Sequence, residues 1–341
     1  MTIALTTHTL AVPPEWAPQK AIWTAWPADA SEWNGDLQAP RNDVAALVHA
    51  LSPTNTVRVL ANGAEAETSA RAALGDAPEI VRAAYGDIWL RDTGPIFARS
   101  PQGPVALRFR TNGWGGKFAL PGDDTVGDDI AALAAVPTLS FDFVLEGGAI
   151  DHDGQGTVLT TRQTLLNANR NGWTIDEAEA ALRTALGAQK VIWIDEGLEG
   201  DHTDGHVDNV ARFVGPARVV CQTPSGRDDP NAAVLEAVAA RLDTATDAKG
   251  RRLEVMRIPS PGRVLNGSDD IAPASHLNFV IANCVVVMPT YGTETSEPTR
   301  EALQAVFADR KVIALPALGL LGAGSAGGGA FHCITREEPS L

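Results

Sequence analysis

The chain has 341 residues, 44% of them hydrophobic and 20% charged, which supports a sizeable core and excludes disorder for most of its length. Forty-two acidic residues against 27 Lys and Arg give a net charge of −15, so the positive surface that nucleic-acid binding depends on is missing. No stretch approaches the roughly 18 apolar residues of a membrane helix, and no basic region precedes an apolar run ahead of Lys20. Three cysteines (Cys221, Cys284, Cys333) make a poor disulfide framework, so a cytoplasmic location is the expectation.

Helices and strands alternate along the chain. Val44, Leu47, Val48 and Leu51 keep the spacing of one helix face, and Thr56-Val57-Arg58-Val59-Leu60 follows as an alternating strand. The same succession recurs four times. Residues 123–136 read as a helix before a strand over 138–144. Thr174 and Glu177 form a capping box opening a helix over 174–186, which leads into a strand over 190–194. Residues 230–242 lead into 253–258, and 297–308 into 311–315. Strand pairs, 206–214 with 217–223 and 276–281 with 284–288, lie between. Five copies of a ββαβ-like element suggest a cyclic repeat and one domain over 1–341. A doubly wound α/β sheet is the plainer alternative. Glycine- and proline-rich stretches at 112–127, 259–268 and 322–329 read as loops.

Polar residues follow the strands directly, where a rigid sheet can present them from loops. Cys333 stands in Gly327-Gly328-Gly329-Ala330-Phe331-His332-Cys333-Ile334-Thr335, where glycines let the backbone come close to a ligand just before a thiol. Cys221 and Cys284 sit in apolar strands and read as small buried hydrophobes. In Glu199-Gly200-Asp201-His202-Thr203-Asp204-Gly205-His206-Val207-Asp208-Asn209, strand alternation puts His206 and Asp208 on one face, a pairing suited to acid–base work and to holding a cation. A solvated acidic loop is the other reading of this segment. A third segment runs Tyr85-Gly86-Asp87-Ile88-Trp89-Leu90-Arg91-Asp92-Thr93-Gly94-Pro95. Its Asp92 can meet a planar cation, and Trp89 and Trp114 can supply aromatic faces. Glu146, before Gly147 and Gly148, ends a strand.

Taken in order, Asp87 to Pro95, Glu146-Gly147-Gly148, Gly205 to Asn209 and Gly329 to Thr335 resemble the agmatine deiminase and bacterial peptidylarginine deiminase family of guanidine-modifying enzymes, the pentein superfamily. Pro14-Glu15-Trp16, Trp23 and Trp26-Pro27 extend the likeness over about residues 13–338. The resemblance implies a fivefold pseudosymmetric α/β propeller of ββαβ units, built as a single catalytic domain. It implies conversion of agmatine and water to N-carbamoylputrescine and ammonia, a step in putrescine biosynthesis. Cys333 would be the nucleophile that forms an amidino-thioether, and His206 would protonate the departing ammonia and then activate water. Asp92, Glu146 and Asp208 would hold the guanidinium, whose charge, with that of a nearby imidazolium, would favour the thiolate. Trp89, Asp87, Trp114, His202 and Asp204 are the further candidates for substrate contact.

No cofactor and no metal are implied. The expected partner is a small cationic guanidine, with neither nucleic acid nor membrane, and a homodimer is the base-rate expectation. Three departures are visible. His202 stands where many agmatine deiminases carry an aspartate, Arg336-Glu337 replaces a pair of glutamines, and Gln19-Lys20 replaces a His-Glu pair. Free or peptidyl arginine is the alternative substrate with the same chemistry. A metal-dependent hydrolase using His202, His206, Asp204 and Asp208, and a non-catalytic binder of polyamines or guanidines, are alternatives of other classes.

Overall fold

Val285-Val286-Val287-Met288 and Val219-Val220-Cys221 are unbroken apolar runs, as expected of strands covered on both faces. Each is the central strand of its own small sheet. The computed structural model describes residues 10–266, 269–322 and 328–341; parts of the loops expected at 259–268 and 322–329, Gly327 included, fall outside the described residues.

The first sheet joins segments from far apart in the chain. β1 (Gln19–Ala25), α1 (Gln38–Leu51), β2 (Val57–Ala61), α2 (Gly63–Leu74) and β3 (Glu79–Arg82) give three parallel strands, and β16 (Arg336–Pro339) pairs antiparallel with β1. Four three-stranded sheets follow, each an antiparallel hairpin, a crossover helix and a strand parallel to the hairpin's second strand. They comprise β4 (Ile96–Ser100), β5 (Gly103–Arg110), α3 (Val126–Leu133) and β6 (Thr138–Val144), then β7 (Ile150–His152), β8 (Thr157–Thr161), α4 (Ile175–Leu186) and β9 (Lys190–Ile194). After these come β10 (Ala211–Gly215), β11 (Arg218–Thr223), α5 (Ala232–Asp243) and β12 (Glu254–Pro259), and last β13 (Val280–Ile281), β14 (Val285–Thr290), α6 (Ser296–Val306) and β15 (Lys311–Pro316). The fold is therefore mixed α/β, not one doubly wound sheet.

Local chemistry sets the helix limits. At the start of α4 the Thr174 hydroxyl accepts from Glu177 N while the Glu177 carboxylate accepts from Thr174 N, and Gly187 ends the helix at φ 70°. Ala178, Leu182 and Ala185 then face the core. A sixth helix–strand pair, α2 with β3, escapes the periodicity reading for a physical reason. The helix buries only Ala66, Ala70 and Leu74, and no residue of β3 is fully buried.

Two expectations are corrected. Residues 206–210 are not strand: Val207–Asn209 form a 3-10 turn and β10 starts at Ala211. The Asn209 carbonyl, which a ladder would use, accepts instead from the Ser275 hydroxyl at 2.7 Å. Cys284 is exposed in the turn ahead of β14, not a buried hydrophobe, while Cys221 is buried as read.

The repeat also explains how distant residues meet. Asp92 lies just before β4, Glu146 before β7, Asp208 before β10, Asn278 before β13 and Cys333 before β16. Each of these five sheets has one such polar residue just ahead of the edge strand that pairs antiparallel with its neighbour.

Candidate active site

Asp92 belongs to a single helical turn, Leu90–Thr93, and its carboxylate accepts from Gly148 N and from Trp114 Nε1, both at 2.8 Å. Two donors therefore fix its orientation. Trp114 reaches it from a left-handed backbone (φ 53°, ψ 51°) between Gly113 and Gly115, both also at positive φ. A non-glycine residue held there costs about 1–3 kcal/mol, a strain of the kind found where a side chain must be aimed.

Glu146 accepts from Arg170 Nε at 2.7 Å through one oxygen, and its other oxygen lies 3.5 Å from His206 Nε2. His206 is fully buried, with Nδ1 3.8 Å from Asp92. Neither ring nitrogen has a partner at good hydrogen-bond distance. Burial opposes protonation of this imidazole, but Asp92, Glu146 and Asp208 together outweigh it and raise its pKa to about 9. Asp208 is also fully buried; its Oδ2 lies 3.6 Å from Cys333 Sγ, and its Oδ1 has no hydrogen-bond partner. Gly148 is required where these groups meet. A Cβ there would come within 2.5 Å of His206 Nδ1 and 3.0 Å of Asp92 Oδ1.

Cys333 is held by a residue that sequence reasoning missed. Asn278 donates from Nδ2 to Sγ at 2.9 Å, and its Oδ1 accepts from Cys333 N and Ala330 N at 3.1 Å. The available signal is weak: His276-Leu277-Asn278 repeats the spacing of His206-Val207-Asp208 just before the next hairpin. Gly329 leaves the other side of the thiol open, since a Cβ on it would stand 3.0 Å from Sγ and 2.6 Å from the Trp89 ring. Arg170, likewise unflagged by the sequence, links Glu146 to Asp204.

A pocket leads down to Cys333. Trp89, Trp114 and Phe118 form an aromatic wall, Asp201, His202 and Thr203 also line it, and Asp92 lies beside the thiol. Two of the anticipated contact residues are not on the wall. Asp87 accepts from Ile88 N and from the indoles of Trp33 and Trp89; burial pushes its pKa up to about 7. It positions Trp89 from behind. Asp204 is turned to Lys117, Asn169 and Arg170, so it steers Glu146 through the arginine. The tetrad of the metal alternative does not assemble: His202 is at the rim, Asp204 is ion-paired, and no metal-holding group of three His, Cys, Asp or Glu occurs among the described residues.

The surroundings of the thiol oppose its ionisation. Burial, Asp208 and Asp92 push the Cys333 thiol well above the usual range, and Asn278 and Ala330 offset this only in part. These causes favour the protonated thiol over the thiolate in the free protein. Cys221 is raised to about 11 by burial, and Cys284 is exposed. Iodoacetamide near neutral pH should therefore label Cys284 first and Cys333 at least about tenfold more slowly, since each pKa unit removes tenfold of thiolate. Peptide mapping by mass spectrometry reads the order, and Cys333 labelled first would mean a resting thiolate.

A thiol, an imidazole and three carboxylates below an aromatic pocket make a site suited to covalent attack on a small planar cation. The model of the Porphyromonas-type peptidyl-arginine deiminase family matches residues 11–339, and the chain belongs to that family. It is 36% identical to the agmatine deiminase of Stutzerimonas stutzeri, over 96% of this chain and 95% of that one. The agmatine deiminase of Pseudomonas aeruginosa strain LESB58 is 34% identical with the same coverage. In structure the chain is similar to the agmatine deiminase of Enterococcus faecalis, with a TM-score of 0.92, 31% identity and 97% and 96% of the two chains covered. No described helix is long and apolar enough to cross a membrane.

Proposed function

We propose that this chain hydrolyses agmatine to N-carbamoylputrescine and ammonia, with Cys333 as nucleophile. The observation that carries the reading is the buried Asp208 Oδ1, without a partner, next to a thiol that only a cation would ionise. Relatives near 35% identity over nearly the whole chain carry the same activity in their names.

A guanidinium seated between Asp92, Glu146 and Asp208 gives these acceptors their donors and places its carbon beside Sγ. Its charge lowers the thiol pKa, so the thiol proton passes to solvent as the cation binds. The thiolate adds to the guanidinium carbon. His206, protonated at rest, gives its proton to one amino group, and the C–N bond breaks to release ammonia and leave an amidino-thioether. The imidazole, now neutral, takes a proton from water as its oxygen attacks the same carbon. Collapse breaks the C–S bond, the hydroxyl proton passes to the leaving sulfur to restore the Cys333 thiol, and the carbamoyl product remains. The step needs no oxidant or reductant.

We further infer that the five sheets surround one pseudo-fivefold axis as a propeller. The placement of Asp92, Glu146, Asp208, Asn278 and Cys333, one ahead of the antiparallel edge strand of each sheet, supports it, as does the pairing of β16 with β1. On that reading residues 1–341 are one catalytic domain. A mechanism that runs through a reduced thiol suits the cytoplasm.

Ammonia release from purified protein, offered agmatine, arginine and a short arginine peptide separately, tests the substrate. Agmatine is the expected one, and its turnover would show that His202 at the rim tolerates an ammonium tail. Turnover of arginine instead keeps the Cys333 chemistry and discards this substrate. No ammonia from any of the three, with Cys333 reduced, ends the reading.

A further inference from the structure

His332 stands next to the nucleophile in the chain, yet its side chain points away from the pocket into the protein. The ring is buried, with Nδ1 2.7 Å from Asp208 Oδ2 and Nε2 3.1 Å from Glu15 Oε2. Two carboxylates thus flank one imidazole edge to edge, and burial, Arg212 and Arg91 hold its pKa well below the usual range, so the ring has one N–H to give. The arrangement continues inward. Glu15 is fixed by Ile281 N at 2.8 Å and by an ion pair with Arg212. Arg212, fully buried, donates from Nε to Asp151 at 2.7 Å and from Nη1 to the carbonyls of Leu277 and Phe279. Asp151 in turn accepts from Phe213 N at 2.8 Å.

None of these groups inward of His332 lines the pocket. Their common outlet is Asp208, whose two oxygens have different surroundings: Oδ2 faces His332 and Oδ1 has no partner. A carboxylate at a 3-10 turn has a free χ2 rotation unless one oxygen is tied. Cys333 Sγ, at 3.6 Å, is too weak a donor to tie it.

We propose that His332 is a positioning residue: its Nδ1–H, braced by Glu15 and Arg212, locks the Asp208 carboxylate so that Oδ1 is presented to the substrate guanidinium. This rests on the reading of the pocket as a guanidinium site. Buried hydrogen bonds to charged groups are the strong ones and orient as well as bind.

Two substitutions separate the contacts of the ring. Asparagine places an N–H donor close to the position of Nδ1 and drops the Glu15 contact; glutamine places one close to Nε2 and drops the Asp208 contact. Each is made in the Cys333→Ala background, where no turnover occurs, and agmatine and guanidinium chloride binding are measured by calorimetry with thermal unfolding alongside. His332→Asn should bind agmatine within about tenfold of the His332 parent, and His332→Gln more weakly by roughly 10–100-fold, the value of a charge-assisted hydrogen bond. Equal affinities in the two, or the reverse order, overturn the proposal, because a filler or a Glu15 partner has no reason to favour asparagine. Should the glutamine variant fail to fold, His332→Asn decides alone, and a loss greater than about a hundredfold overturns it. Absence of agmatine binding by Cys333→Ala itself counts against the proposed substrate, and guanidinium then carries the same comparison; binding of neither overturns both.

Discussion

Replacing Cys333 by alanine should stop ammonia release from agmatine, with kcat reduced on the order of 10⁴-fold or more, and should leave agmatine binding nearly intact. The two parts have different origins. Turnover is lost because the carbon–sulfur bond is the route by which ammonia leaves, and neither of the other cysteines lines the pocket. Cys221 is buried elsewhere in a core strand, and Cys284 is exposed in a turn. Binding survives because the thiol is protonated before the cation enters, so the carboxylates and not the sulfur supply most of the charge that holds it. Asp92 keeps its two donors from Gly148 and Trp114, and Asp208 keeps its contact with His332, whether or not sulfur is present. The cation-holding groups are therefore preformed without the nucleophile. Stopped assays for ammonia and calorimetry on the same preparation check both halves. Residual turnover within a hundredfold of the parent would remove Cys333 from the chemistry. Loss of binding with the fold intact would mean that a resting thiolate, not the carboxylates, holds the substrate.

What the sequence revealed of this site follows from where the chemistry sits on the chain. Asp92, Glu146, His206, Asp208 and Cys333 were all visible because each lies within a few residues of glycine, ahead of a strand. The supporting residues were not visible in the same way. Asn278 looks like ordinary punctuation before a strand, and only the fold brings its amide to Sγ. Arg170 and Glu15 are single charges in loops, and burial in the network, which sequence does not display, gives them their effect. Asp87 and Asp204 failed as wall residues because a carboxylate near a motif can equally serve the residue beside it. Here they orient Trp89 and Arg170.

The fold shows the same division. Crossover helices with a strong apolar face, such as α4, were legible to within a few residues, whereas α2, with three buried side chains on one stripe, was not. The reading of 206–214 as continuous strand failed because period-2 alternation also describes a turn that sends His206 and Asp208 to one centre. The Ser275 hydroxyl takes the Asn209 carbonyl there, and local pattern carries no information about a partner 66 residues away.

His206→Gln should lower kcat/KM for agmatine by roughly 10²–10⁴-fold, the usual value of a positioned acid–base group, and should change the alkaline behaviour of the protein. In the parent, burial of His206 is outweighed by Asp92, Glu146 and Asp208, which raise its pKa to about 9. The proton that leaves with ammonia is therefore in place at neutral pH, and kcat/KM should fall as pH rises past about 9. Glutamine has no proton to lose in that range, so this limb should vanish from the variant's profile. Stability must follow the same titration. The folded imidazole holds its proton more tightly than the unfolded one, whose pKa is about 6.5. Its contribution is therefore fully present below about 6.5 and is lost as pH rises through about 9. Thermal unfolding across this window should show the parent's advantage over His206→Gln shrinking with pH, while the general effect of the net charge of −15 is shared by both. A rate within tenfold of the parent would deny His206 its role as the proton donor. A stability difference that stays constant from pH 6 to pH 10 would mean that the imidazole is neutral at rest, and the ammonia would then need its proton from another group.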